Sequence, residues 1–212
     1  MGPSTSAAST TADGDGTAAR ILDVAERLVQ QHGYNAFSYA DIAAELGVTK
    51  ASLHYHFATK ADLGVALITR YAARFAAALA AIDAAETDPC AKLRRYVELY
   101  AGVLDAGRMC LCGMLAADYT TLAEPMRDAV RRFFDDNERW LSGVLDAGRG
   151  CGELRFDAAP GAAAQLIVST LEGAMLVARS RGDVAQFRSA AAMLLGSVGV
   201  PSGTAGGATP QG

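Results

Sequence analysis

Only Gly47 and Val48 stand between two short stretches of helical periodicity, and this spacing constrains the chain more than any other feature. From Asp41 to Leu46, apolar Ile42, Ala43 and Leu46 recur at helical intervals. Gly47 ends that helix, because a residue without a Cβ accepts the left-handed conformation of a C-terminal cap. Thr49 offers a hydroxyl to cap the helix that follows. With so short a turn the two helices must cross sharply. The stretch Ser38 to Asp62 therefore predicts a helix-turn-helix followed by the start of a third helix.

A helical wheel assigns the faces of the second helix. Measured from Leu53, Phe57 lies at about 40° and Thr49 at about −40°, so Leu53 and Phe57 look inward. Ala51 and Tyr55 fall at about 160° on either side, facing away from the core. Ser52 and His54 flank them, and Lys50 and His56 sit near the boundary. Small and hydrogen-bonding residues at a helix start are what close approach to base edges in a DNA major groove requires. An ordinary solvated helix with a buried Phe gives the same wheel, and both readings stand on the residues alone.

The segment GVTKASLHYHFATKADL resembles the signature of the tetracycline-repressor (TetR) family of bacterial regulators. Matching positions are Gly47, Val48, Thr49, Leu53, His56, Phe57, Thr59, Lys60 and Leu63. The chain departs at Ala51, where Gly is common, and at His54, where the family usually has a phosphate-contacting Tyr; Tyr55 is the neighbour able to share that role. The resemblance implies backbone contacts from Ser38 and Lys60 and a DNA-binding set of Ser38, Thr49, Lys50, Ala51, Ser52, His54, Tyr55, His56, Thr59 and Lys60. It also implies a homodimer in which the last two long helices form a four-helix bundle with their mates. Two further patterns, KASLHYHF and CLCGMLAADY, resemble a branch containing repressors of electrophile and aldehyde detoxification genes.

The remaining periodicity predicts an all-α fold of about nine helices. Ile21, Val24, Ala25, Leu28 and Val29 stripe a first helix from Thr17 to Gln31. Ser38 caps the next with Asp41 in a capping box, and Thr59 with Asp62 caps a long helix from Lys60 to about Ala85. Lys60 stands in the first turn, where a cation opposes the helix dipole, and an arriving phosphate would relieve that. Asp88 and Pro89 open a helix ending near Gly107, followed by a short buried helix in MCLCGMLAADY. Pro125 opens another long helix. Asp157 is expected to cap the next, from Ala158 to about Arg181, and Asp183 the last, to about Ser197. Residues 1–16 and 199–212 read as disordered tails, 17–63 as the DNA-binding domain and 64–198 as an effector and dimerisation body.

Charge limits the mode of binding. The net charge is −4, and residues 1–62 set four cations (Arg20, Arg27, Lys50, Lys60) against seven acids. A general polyanion binder is excluded, and helix N-termini and backbone N–H groups must carry much of any phosphate contact. The N-terminus lacks the apolar core of a signal peptide and no run is expected to span a membrane, so a cytoplasmic location follows.

No catalytic constellation or cofactor loop appears, and neither catalytic nor metal residues are expected; Asp135, Asp136 and Glu138 read as a solvated face. The four cysteines at 90, 110, 112 and 151 read as thiols. Cys110 and Cys112, at i and i+2 on a helix, diverge too far to bridge each other. Each is a buried small hydrophobe or, by the branch resemblance, a residue that reacts with an electrophile. The other reading of effector sensing is a non-covalent apolar pocket drawing on Tyr96, Tyr100, Met114, Tyr119, Phe133, Trp140 and Met175, which serve equally as core. Functional readings are a dimeric repressor of a palindromic operator, released by a small molecule or electrophile; an activator or dual regulator of the same fold; or a helical ligand-binding protein or enzyme with a structural head.

Overall fold

The structure, a computed structural model, describes residues 9–200. Among these there are nine α-helices, two short 3-10 turns and no strand. The helices are α1 (Ser9–His32), α2 (Tyr39–Leu46), α3 (Lys50–His56), α4 (Lys60–Ala85), α5 (Pro89–Asp105), α6 (Leu111–Ala117), α7 (Glu124–Gly150), α8 (Pro160–Arg181) and α9 (Val184–Ser197). Two compact units result. One holds the residues up to Phe75 together with Gly107–Phe133; the other holds Ala76–Ala106 and the chain from Phe134 onward. Helices α4 and α7 each begin in the first unit and end in the second.

In the first unit α1 packs on α2 and α6, and α2 on α3. Ile21, Ala25 and Val29 of the α1 stripe are fully buried, as are Ile42, Leu53 and Leu63. Each of these Ile, Val and Leu side chains stabilises by about 1.5–3 kcal/mol relative to exposure. Glu26 is a buried carboxylate, which is tolerable only when paired. It accepts from Arg70 Nη2 at 3.0 Å and from Arg74, so two guanidinium groups of α4 hold α1.

In the second unit α8 and α9 pack along each other and both pack on α5. Gly182, at φ 64, caps α8 in the left-handed region, and the Asp183 carboxylate accepts from Ala185 and Gln186 N–H to start α9. Gly148 is required by close approach. A Cβ there would lie 2.4 Å from Leu154 Cδ1 and 2.9 Å from Pro89 Cβ.

Four expectations change. Helix α1 begins at Ser9 rather than Thr17, since once a helix is nucleated each added residue gains a hydrogen bond; residues 1–8 lie outside the described residues. Helix α8 begins at Pro160 with Ala159 as N-cap, not with Asp157, because proline's fixed φ suits the first helical position. At the other end Val200 is buried and its N–H reaches Leu195 O at 3.0 Å, so packing continues past Gly199; residues 201–212 lie outside the described residues. Finally, α4 and α8 are each long and apolar enough, by length and composition, to cross a membrane. Their alanines raise mean hydropathy without bulk, and α4 carries Arg70 and Arg74 in ion pairs while α8 buries one face on α5 and α9. These are traits of packed helices in a helical protein.

Candidate nucleic-acid interface

Each turn of the interface is set by its own caps. The Ser38 hydroxyl accepts from Ala40 N–H at 3.2 Å, and Asp41 Oδ2 accepts from the Ser38 N–H at 2.7 Å and its hydroxyl at 2.8 Å. These bonds with Ser38 lower the Asp41 pKa below the usual carboxylate range. Gly47 sits at φ 67 and closes α2, as its sequence position required. Thr49 Oγ1 then accepts from Ser52 N–H at 3.2 Å to open α3. Thr59 and Asp62 form the reciprocal pair that opens α4, with Thr59 N–H to Asp62 Oδ2 at 2.9 Å and Asp62 N–H to Thr59 Oγ1 at 3.1 Å.

Helix α3 presents the face that the wheel assigned. Leu53 is wholly buried, whereas Tyr55 is 85 % exposed and Lys50, Ala51 and His54 are exposed. Ser52 and His56 are half-buried, and so is Phe57, which ends the helix as its C-cap instead of closing the core. His54 leans back on the Tyr39 ring at 4.7 Å between centroids, with Nδ1 3.0 Å from Ala58 O. The ring of Tyr55 stands edge-on to His56 at 5.2 Å. Tyr55 is thus the large side chain of α3 that projects freely, and His54 is braced against α2.

A cleft of about 390 Å³ opens beside this face, lined by Phe37, Ser38, Tyr39, Ala40, Lys50, His54 and Lys60. It brings together the α2 N-terminus, a lysine from α3 and a lysine from α4. The positive end of a helix dipole together with nearby ammonium groups suits an anion. Lys60, however, is directed inward. Its Nζ donates to Tyr34 O at 2.6 Å and Phe37 O at 2.5 Å and lies over both rings. Burial pushes its pKa down, and the charges of Asp118 and Asp41 push it back up. The unfavourable position of this cation in the first turn of α4 is thus met by carbonyls and aromatic faces of its own chain.

Tyr39 and Tyr34 carry roles that sequence reasoning missed. The Tyr39 hydroxyl donates to the carbonyls of Phe57 and Thr59, tying α2 to the joint between α3 and α4. The Tyr34 hydroxyl donates to Lys60 O at 2.9 Å. Burial pushes both phenols up to about 12. The available signal was the run of aromatics at 34, 37 and 39 immediately before a helix start, too dense for a solvated loop.

Two family models match this chain. Residues 21–67 match the bacterial regulatory proteins of the tetR family, and residues 89–194 match the tetracyclin repressor-like C-terminal domain. The chain belongs to the TetR family. A solved TetR-family transcriptional regulator from Agrobacterium tumefaciens is 35 % identical, with a TM-score of 0.85, over 87 % of this chain and 98 % of that one. The transcriptional regulator AcuR of Cereibacter sphaeroides is 31 % identical over 70 % of each chain. The HTH-type transcriptional repressor DhaR of a Mycobacterium species is 23 % identical over 79 % of this chain and 86 % of its own. This TetR-family protein is a transcriptional regulator with a DNA-binding helix-turn-helix, in a family that is usually non-enzymatic.

The nine residues singled out for effector sensing divide between the two units. Cys110, Cys112, Met114, Tyr119 and Phe133 lie in the first, and Tyr96, Tyr100, Trp140 and Met175 in the second. Cys110 and Cys112 are 2 % and 0 % exposed, and the Tyr71 hydroxyl donates to Cys110 Sγ at 3.7 Å. All four cysteines are free thiols, and Cys151 is the exposed one. In the second unit the Tyr96 hydroxyl bonds Tyr100 and Asn137 at 3.2 Å each, and Trp140 stacks on Tyr96 with centroids 5.6 Å apart. Trp140 Nε1 donates to Asp83 at 2.8 Å, and Lys92 pairs with the same carboxylate, on the edge of a 300 Å³ cleft. Asp88, Cys90 and Glu153 bring their ligand atoms within 4.8 Å of one another, where Asp88 also caps α5.

Proposed function

We propose that this regulator is a repressor that binds a palindromic operator as a homodimer and is released by a small-molecule or electrophile effector. The observation that supports it most is the face of α3, with Tyr55 projecting and Lys50, Ala51 and His54 exposed beside the capped start of α2. In this reading Ser38, Thr49, Lys50, Ala51, Ser52, His54, Tyr55, His56, Thr59 and Lys60 form the contact strip. Ser38 and Lys50 meet phosphates at the cleft, and Tyr55 meets base edges or the backbone. Lys60 acts mainly by holding the Tyr34–Phe37 turn.

One seven-residue helix cannot supply operator specificity alone, so two copies must be held at groove spacing. Helices α8 and α9 offer the surface. Ala162, Leu166, Ser169, Gly173 and Leu176 are exposed and follow one another on a single face of α8, and Met193 of α9 is 77 % exposed. Glycines inside helices cost about 1 kcal/mol relative to alanine. A Cβ at Gly173 or Gly196 would meet nothing within 4 Å in this chain, so neither glycine is explained by intramolecular packing. Close approach of a second copy explains both. The relative DhaR, named a repressor, supports repression over activation. A cytoplasmic location accords with this role.

The test is a gel shift on the gene's own upstream region with reduced, unliganded protein, titrated with electrophiles and apolar ligands. Sequence-specific binding lost on titration is expected. Absence of specific binding by the untreated protein overturns the reading. Leu176→Glu should give a monomer by sedimentation velocity and abolish the shift.

A further inference from the structure

The turn before α2 is held from outside the helix-turn-helix. Asp118, at the C-terminal cap of α6, accepts the Tyr34 N–H on Oδ2 at 2.9 Å, across 84 residues of sequence. The same oxygen would lie 3.3 Å from a Cβ at Gly33, so the carboxylate occupies the space that this glycine leaves; Gly33 also has φ 93. Two further straps run alongside. Asn35 Nδ2 donates to Thr121 Oγ1 at 2.9 Å, and Thr121 Oγ1 donates to the Asp118 carbonyl at 2.8 Å. Met109 N–H donates to Gln30 O at 3.2 Å.

What these straps fix is the turn that Lys60 clamps. The Tyr34 carbonyl accepts from Lys60 Nζ while the Tyr34 N–H is held by Asp118, so one peptide segment is gripped from both sides. Lys60 also grips Phe37 O, and Phe37 immediately precedes Ser38, the N-cap of α2. The direction in which α2 leaves that cap sets where α3 can lie. Displacing the turn by an ångström would misalign a contact strip that must meet phosphates and base edges together.

We infer that Asp118 is a positioning residue for operator binding, acting through the Tyr34 backbone and Lys60 from outside residues 21–67. Asp118 lies outside α2 and α3, at the C-terminal cap of α6, and its carboxylate is engaged by the Tyr34 N–H. Its charge alone would have the opposite effect, because an acidic side chain on a phosphate-binding protein weakens binding and its removal strengthens it. Positioning and bulk charge therefore predict opposite signs for the same substitution.

The inference rests on the operator-binding reading, and wild-type binding to operator and to random duplex is the control that separates the two. If the wild type shows no preference for its operator, that reading fails first. With a specific wild type, Asp118→Ala should lose about tenfold in operator affinity. Its affinity for random DNA should be unchanged or slightly raised, with the salt slope preserved. Asp118→Asn keeps an acceptor for the Tyr34 N–H and should recover part of the loss. Folded Asp118→Ala that binds operator as well as or better than wild type overturns the inference, and so does an equal loss on random DNA. Where Asp118→Ala fails to fold, Asp118→Asn and the exposed Asn35→Ala decide. A selective loss of operator affinity in either supports the inference, and wild-type affinity in both overturns it.

Discussion

The Lys60 ammonium lies 4.2 Å from the centre of the Phe37 ring and donates at 2.5 Å to the carbonyl of the same residue. A side chain that the motif offers to phosphate thus spends its donors on the turn that precedes α2. Lys60→Ala should accordingly destabilise the fold by about 1–3 kcal/mol, since two carbonyls lose their donor. Operator affinity should fall with it. Urea unfolding beside fluorescence anisotropy checks this; a variant with wild-type stability and lower affinity would return Lys60 to a purely external role.

Tyr55 makes the opposite case. It is 85 % exposed, so Tyr55→Ala should change stability by no more than about 0.5 kcal/mol. Operator affinity should nevertheless drop and the ranking of operator variants shift. His54→Ala should cost more stability than Tyr55→Ala, because it removes the ring packed on Tyr39. Thermal melts and competition binding on the two variants separate these effects.

Alkaline pH should loosen the head. The Tyr34 and Tyr39 phenols are pushed from 10 to about 12 in the folded protein, so the unfolded chain gives up these protons first. Their contribution to stability is complete below pH 10 and is lost as pH rises toward 12. Lys60, whose pKa burial lowers, contributes with the opposite sign. Tyr39→Phe should flatten the decline in unfolding free energy across this range, as measured by urea titrations at successive pH values.

Glycines on two helices should respond differently to the same change. In Gly148→Ala the new methyl meets Leu154 and Pro89, and a destabilisation of about 1–3 kcal/mol is expected. In Gly64→Ala the methyl meets only the unbranched side chain of Met126, with no rigid ring beside it, and the helical gain of about 1 kcal/mol offsets part of the strain. Denaturant midpoints of the two variants test the difference.

The cysteines should react in order of access. Cys151 is exposed, while burial pushes the Cys90 thiol pKa up and Cys110 and Cys112 are sealed in the first unit. Brief treatment with a thiol reagent should label Cys151 at least about tenfold faster than the other three, read by peptide mass spectrometry. Faster labelling at Cys110 or Cys112 would show that this interior opens in solution.

Much of this protein was legible in local pattern. The capped turn at Gly47, the boxes at Ser38 and Thr59, the Asp88 and Asp183 caps and the inward Leu53 all follow from residues within a few positions of one another. So do the all-α class and the family resemblance, because helix periodicity and capping are short-range properties. The start of α8 is the exception, since Asp157 and Pro160 both signal a helix start and the proline prevails.

Tertiary structure alone decided where the donors of Lys60 go, why Tyr34 and Tyr39 matter, and that Asp118 reaches the head. Each depends on a contact between residues far apart in the chain, where no periodicity carries a signal. The same holds for Cys110, whose burial the apolar run suggests while its partner, the Tyr71 hydroxyl, comes from far along the chain. Sequence fixes which groups a helix can offer. Packing fixes which of those groups are already engaged by the chain itself, and that determines which remain to meet DNA.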